Sequence, residues 1–322
     1  MSRSVVAGLD GSPESRAAAE WAAREAALRG LPLRLVHVTE PVPSPVAQAP
    51  TLGAETLQHW AERIPREAAE GLRLRHPGVD VSVEPMTGAP AEALLSAAKD
   101  AELLVLGSRG LSGVGGFLVG SVGLAVVAHA ELPVVLVRAD GRAGGRDEGH
   151  AAGAAEGGGA AVVAAGDEEH AAGSAATARG PVPPVVVGLA ADAPADEVIE
   201  FAFAEAARLG TGLRVVHGGS VPPYYAYGLA VDAGLYAQLS QEGTEALTEV
   251  LGPWQRKHPQ VDVVVESHVG SVADHLVDAS REAAVLVIGR RIRRAAFGAH
   301  IGPVAHAVLH HATVPVAVVA HD

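Results

Sequence analysis

Leu103-Leu104-Val105-Leu106-Gly107-Ser108-Arg109-Gly110-Leu111-Ser112-Gly113-Val114-Gly115-Gly116-Phe117-Leu118-Val119-Gly120-Ser121 is the stretch on which the fold turns. Its first four residues form an unbroken apolar run, the pattern of a strand covered on both faces. A glycine-rich loop follows. From Gly120 to Ala130 the sequence reads as a helix, and Pro133–Val137 reads as another apolar strand. Toward the N-terminus the same alternation runs back to the start. Val5–Leu9 is a strand; Ser12 and Pro13 open a helix that ends before Gly30, since a cap hydroxyl and a proline suit the first turn and glycine suits the exit. Leu33–Val38 is a strand, Ala54–Arg75 a helix carrying Pro65, Val79–Glu84 a strand and Pro90–Lys99 a helix. Repeated strand–helix–strand units predict an α/β fold: a doubly wound, five-stranded parallel sheet with right-handed crossovers and helices on both faces.

The pattern occurs twice. VVAGL at 5–9 matches VVVGL at 185–189, and LRLVH at 33–37 matches LRVVH at 213–217, both at an offset of 180. Later the offset is 182: His76-Pro77 matches His258-Pro259, Gly88 matches Gly270, LVLG at 104–107 matches LVIG at 286–289, and Pro133-Val134 matches Pro315-Val316. So long a period means two tandem domains rather than a solenoid. The expected organisation is a domain at 1–140, a linker at 141–182 and a domain at 183–322. Of the 40 residues from Gly141 to Gly180, 25 are Ala or Gly and none is aromatic, too little apolar surface to build a core.

Composition narrows the function. The 322 residues carry a net charge of −13, against the basic patches that nucleic acid or an anionic membrane requires. No cysteine is present, so thiolate metal sites and cysteine nucleophiles are excluded. The opening MSRSVVAGLDGSPES has one Arg and an apolar run shorter than the roughly 7–15 residues of a secretory segment. No stretch approaches the ~20 apolar residues of a membrane span. The expectation is a soluble, cytoplasmic protein.

Sheets of this kind bind ligands beyond the C-terminal strand ends, where the winding reverses. Two segments lie there: Gly8-Leu9-Asp10-Gly11-Ser12 after strand one, and the glycine-rich loop after Leu106. Gly107, Gly110 and Gly113 let backbone N–H groups approach an anion, Gly120-Ser121 opens a helix whose free N–H groups favour phosphate, and Arg109 is the loop's one positive charge. No GxxxxGK[ST] motif is present, which excludes a P-loop NTPase. Two readings stand on the residues alone: a phosphate loop, or a plain glycine loop in which Ser121 caps a helix.

The spacing Gly107-x2-Gly110-x9-Gly120-Ser121, paired with Asp10, resembles the ATP-binding pattern of the universal stress protein family. LVHV in strand two and the tandem arrangement resemble it as well. The resemblance implies that backbone groups of Val38 hold adenine, Asp10 lies near the ribose and phosphates, Gly107 and Gly110 line the sugar-phosphate path, and Gly120, Ser121 and Val122 bind phosphates. Gly8 and Leu106, at the two strand ends, complete the expected ATP site. The resemblance further implies strand order 3-2-1-4-5, Mg²⁺ with the nucleotide, and pairing through strand five. That pairing would join the two domains of one chain as a pseudo-dimer, with a homodimer of chains as a further step. Family members act as stress-linked regulatory nucleotide-binding proteins.

The second copy departs from the pattern. Ala190 replaces Asp10, Ile292 replaces Gly110 and Pro303 replaces Ser121. Arg290-Arg291-Ile292-Arg293-Arg294 stands where the first copy has glycines, and reads as a solvated basic loop. ATP is therefore expected in the first copy alone. His306 and His310 share a helix face but lack an evident third ligand, and read as surface histidines. His37 and His217 occupy matching strands, as core or pocket-wall residues. Tyr224, Tyr225, Tyr227 and Tyr236 follow strand two of the second copy, either as loop packing or as a cover for the crevice. No general base has a defined partner, and neither an HxGH motif nor an SGGxDS loop occurs, so an enzyme is not expected. The alternatives are a nucleotide-independent interaction protein or a weak ATPase.

Overall fold

The computed structural model describes residues 3–40, 54–108, 119–139, 182–219, 233–292 and 301–322. In the first half, β1 (Val5–Gly8), α1 (Pro13–Arg29), β2 (Leu33–Thr39), α2 (Ala54–Arg75), β3 (Val81–Thr87), α3 (Pro90–Ala97), β4 (Leu103–Ser108), α4 (Ser121–His129) and β5 (Val134–Arg138) follow in order. The second half repeats them as β6 (Val185–Gly188), α5 (Asp196–Leu209), β7 (Leu213–Gly219), α6 (Ala233–Lys257), β8 (Val263–Val269), α7 (Val272–Ser280), β9 (Val285–Arg291), α8 (Pro303–His311) and β10 (Val316–His321). The strand order is β3-β2-β1-β4-β5 in one half and β8-β7-β6-β9-β10 in the other, all parallel within each half. Val5 pairs with Leu33 and Val185 with Leu213, so the duplication preserves register.

Alternation sorts each strand between two cores. Val5, Ala7, Leu33, Leu35, Leu103 and Val105 face α1 and α2; Val6, Val36, Leu104 and Leu106 face α3 and α4. Ala18, Ala19, Ala22, Ala23 and Ala26 are buried along α1, and their small side chains let the helix sit close to the sheet. Ser12 caps α1 by accepting the Ser15 N–H at 3.1 Å, and Gly30 closes it at φ 64°.

The two halves share one ten-stranded sheet. β5 and β10, read from sequence as edge strands, lie at its centre and pair antiparallel, with Val135 opposite Ala317. On the α4 and α8 face, Arg138 donates to the Leu309 carbonyl at 3.0 Å and Arg290 donates to the Ala130 carbonyl. Each guanidinium thus meets the C-terminal end of a helix in the opposite half, where the dipole favours a cation. Burial pulls Arg138 down to about 10, still charged at neutral pH.

Three differences from the sequence reading bear on the site or on the seam between the halves. β3 continues to Thr87 through Pro85, because an edge strand tolerates a residue with no N–H to donate. The cap of α4 is Gly120, with no side-chain cap bond, and Ser121 is the first helical residue rather than a cap. Arg290 is 5% exposed, within β9, not part of a solvated loop. The expected linker lies outside the described residues, as do Tyr224, Tyr225 and Tyr227.

Candidate functional site

β1 and β4 are adjacent, and the chain leaves them toward opposite faces, to α1 and to α4. Their C-terminal ends therefore border one cleft of about 330 Å³. Gly8, Asp10, Val38, Leu106, Gly107, Gly120, Ser121 and Val122 all line it. Arg109 and Gly110 lie outside the described residues.

One end of the cleft is apolar. Val36, Val38, Leu94, Leu106 and Pro90 form its walls. The Val36 carbonyl accepts the Leu9 N–H at 2.9 Å, so alternate carbonyls of β2 point to the β1 side. The Thr39 carbonyl correspondingly points the other way, to the Gly88 N–H at 3.2 Å. The backbone of Val38 thus faces the space beyond Gly8, where β1 has ended. That is a flat apolar slot with a backbone donor and acceptor on its rim.

The other end is polar. Gly120, Ser121, Val122 and Gly123 present the start of α4, whose first N–H groups have no partner within the helix. Facing it is the first turn of α1, with Asp10, Ser12, Glu14 and Ser15. An Asp10 carboxylate oxygen takes the Ser12 N–H at 2.9 Å and the Ser12 hydroxyl at 2.5 Å, which holds this turn in shape. β4 approaches α1 so closely that a Cβ on Gly107 would lie 2.6 Å from the Glu14 carbonyl carbon and the Ser15 nitrogen. Only glycine fits between those backbones.

His37 lies outside the cleft. It is buried on the other face, its Nδ1 2.7 Å from the Leu9 carbonyl, and His217 repeats the contact with Leu189 at 3.0 Å. Both histidines therefore shape the loop after the first strand. The His306 and His310 rings lie 4.4 Å apart. Among the described residues no group of three or more metal-ligating side chains comes together. Tyr236 is half-exposed on α6. Glu14, Leu94 and Ser15 were not singled out from sequence; the periodic burial of α3 was the available signal for Leu94.

The second half builds the same backbone with a different pair of side chains beside the slot. Gly218 stands in place of Val38 and Val272 in place of Pro90. A Cβ on Gly218 would lie 2.2 Å from a Val272 methyl group, so Val272 fills the room that the Val38 side chain takes in the first half.

The sequence profile of the universal stress protein family matches residues 1–138 and again 182–320. The chain belongs to the universal stress protein family. A universal stress protein of Mycobacterium tuberculosis (strain ATCC 25618 / H37Rv) is 32% identical over 323 residues, covering 98% of this chain and 96% of its own. One from Mycolicibacterium smegmatis (strain ATCC 700084 / mc(2)155) is 28% identical over 325 residues, with 98% and 96% covered. The crystal structure of a universal stress protein from Archaeoglobus fulgidus DSM 4304 covers 100% of both chains at a TM-score of 0.65 and 16% identity, a likeness of fold. No described helix of this universal stress protein is long and apolar enough to cross a membrane.

Proposed function

We propose that this universal stress protein binds one ATP per chain, in the first half, and acts as a nucleotide-dependent regulatory protein rather than an enzyme. The observation that carries the reading is the meeting, in one cleft, of an apolar slot rimmed by Val38 with the free N–H groups of Gly120, Ser121 and Val122. The slot suits a base, and the helix start suits phosphates. Gly8, Leu106 and Gly107 leave the ribose a path between them, with Asp10 beside it. Arg109 and Gly110 belong to the same motif by sequence. The Asp10 carboxylate is a donor the cleft offers to a Mg²⁺ carried by the phosphates.

The second half supports a stoichiometry of one. Pro303 removes a hydroxyl and an N–H, and Ala190 removes a carboxylate. The β5–β10 pairing supports a pseudo-dimer within one chain, in which the second half serves as a partner surface. A homodimer of chains would need a further surface. Calorimetric titration of the full chain with Mg²⁺ and ATP is expected to give one site. Two sites of similar affinity, or none, would refute the proposal.

A further inference from the structure

The face of the sheet opposite Arg138 and Arg290 carries a second contact between the halves. Glu25 on α1 and Glu205 on α5 stand at the same position of the repeat, 180 residues apart. Both are buried, with side chains 4% and 1% exposed, and Arg29 lies between them. Arg29 donates through Nε to Glu25 at 3.0 Å, through one terminal nitrogen to Glu102 at 2.8 Å, and through the other to Glu205 Oε2 at 2.9 Å. Arg208 donates to the same Oε2.

Glu205 Oε1 is different. It is buried and receives no hydrogen bond from a described donor. Yet Arg29 holds Glu25 with its Nε and Glu205 with a terminal nitrogen, so one guanidinium keeps the two buried carboxyls side by side. Two buried carboxylates beside one guanidinium repel each other, and one proton on the pair removes that repulsion. The charges agree: Arg29 and Arg208 are two cations against the three carboxyls of Glu25, Glu102 and Glu205. One proton makes this cluster, with Glu102 and Arg208 at its partly exposed rim, neutral.

We propose that the two halves are clasped through a single proton shared by Glu25 and Glu205, so that acidification tightens the contact between them and alkalinisation loosens it. This inference does not depend on nucleotide binding. Burial, with Glu25 beside it, pushes the Glu205 carboxyl from an ordinary 4.5 up to about 8, against the pull of Arg29 and Arg208. Among the described residues, the charged groups of the neighbouring elements are paired with one another. The strands beneath present Val135, Val137, Ala317 and Val319. Toward α2, Glu20 of α1 is paired with Arg75 and His76. Toward α6, Glu200 is paired with Lys257, and His258 stacks on Phe203. Phe201 lies under Arg29 at 5.8 Å.

The sign follows from linkage. An acid whose value is raised in the docked state is protonated there and ionised when the halves separate. Its contribution is complete below its free value and is lost as pH rises through the docked value. One proton taken up on docking lowers the docking constant about tenfold per pH unit between roughly 4.5 and 8.

The test uses the full chain. It has no cysteine, so spin labels can be attached specifically at Glu70→Cys and Glu249→Cys, both exposed. The label distance reports separation of the halves as urea is added, at pH 5 to 9. The separation midpoint should fall with pH up to about 8 and then level. Glu205→Gln, whose amide supplies the missing proton permanently, should show no fall, and should exceed the unsubstituted chain at pH 8.5. Parallel pH profiles in the two proteins would overturn the proposal. Should Glu205→Gln fail to fold, ¹³C NMR of the glutamate carboxyls in the parent chain decides. One carboxyl titrating near pH 8 is expected; all of them titrating below pH 6 overturns the shared proton.

Discussion

Replacing Ser121 with proline should abolish most nucleotide binding while leaving the fold untouched. The second half has already made this substitution: α8 begins with Pro303 where α4 begins with Ser121. The preceding caps are nearly superimposable, Gly120 at φ −62°, ψ 156° and Gly302 at φ −62°, ψ 159°. That extended conformation is the one a residue before proline prefers. At the first helical position proline sacrifices an N–H that no helical carbonyl uses. Stability should therefore change by no more than about 0.5 kcal/mol, as for an ordinary surface substitution. The ligand, by contrast, loses both the Ser121 N–H and its hydroxyl. At about 1.5–3 kcal/mol for each hydrogen bond to a charged group, affinity should drop about 10²- to 10⁴-fold. Ser121→Ala loses the hydroxyl alone and should drop about 10- to 150-fold. Thermal melting and calorimetric titration with Mg²⁺ and ATP measure the two effects separately. A folded Ser121→Pro protein that binds ATP like its parent would show that phosphates do not sit at the start of α4.

Gly107→Ala and Gly289→Ala form a matched pair: the first methyl meets the backbone of Glu14 and Ser15, the second meets the side chains of His321 and Val198. Melting should show a loss of about 1–3 kcal/mol for the first and, because side chains can rotate away, under about 1 kcal/mol for the second. Arg29→Met leaves Glu25 and Glu205 without their shared cation and should cost about 3–5 kcal/mol in denaturant unfolding. A specific protease site inserted between residues 141 and 182, once cut, should leave two fragments that elute together in gel filtration, since the β5–β10 ladder and the buried arginines remain.

The succession of strands and helices was legible because the repeat fixes equivalent elements and apolar runs mark doubly covered strands; the strand order itself came from the family resemblance. The cleft was legible because its ends are glycines and a helix start, features of local backbone chemistry. What escaped depends on partners distant in sequence. Arg290 sits in a run of arginines that locally reads as solvated, and its burial is decided by a carbonyl 160 residues earlier. Glu25 lies in an Ala-rich helix where a lone carboxylate would ordinarily face water; α5 of the other half covers it. β3 runs on past Glu84 through Pro85, which an edge strand tolerates because that residue's missing N–H breaks no ladder.

The antiparallel pairing of β5 with β10 has a consequence for dilution. Two separate chains that met through such strands would come apart as their concentration fell. Here the partners share one polypeptide, so their meeting is unimolecular and its extent is the same at any protein concentration. It also fixes the mixture. A half with Asp10 and Ser121 is always joined to one with Ala190 and Pro303, a combination that free exchange between identical subunits could never guarantee.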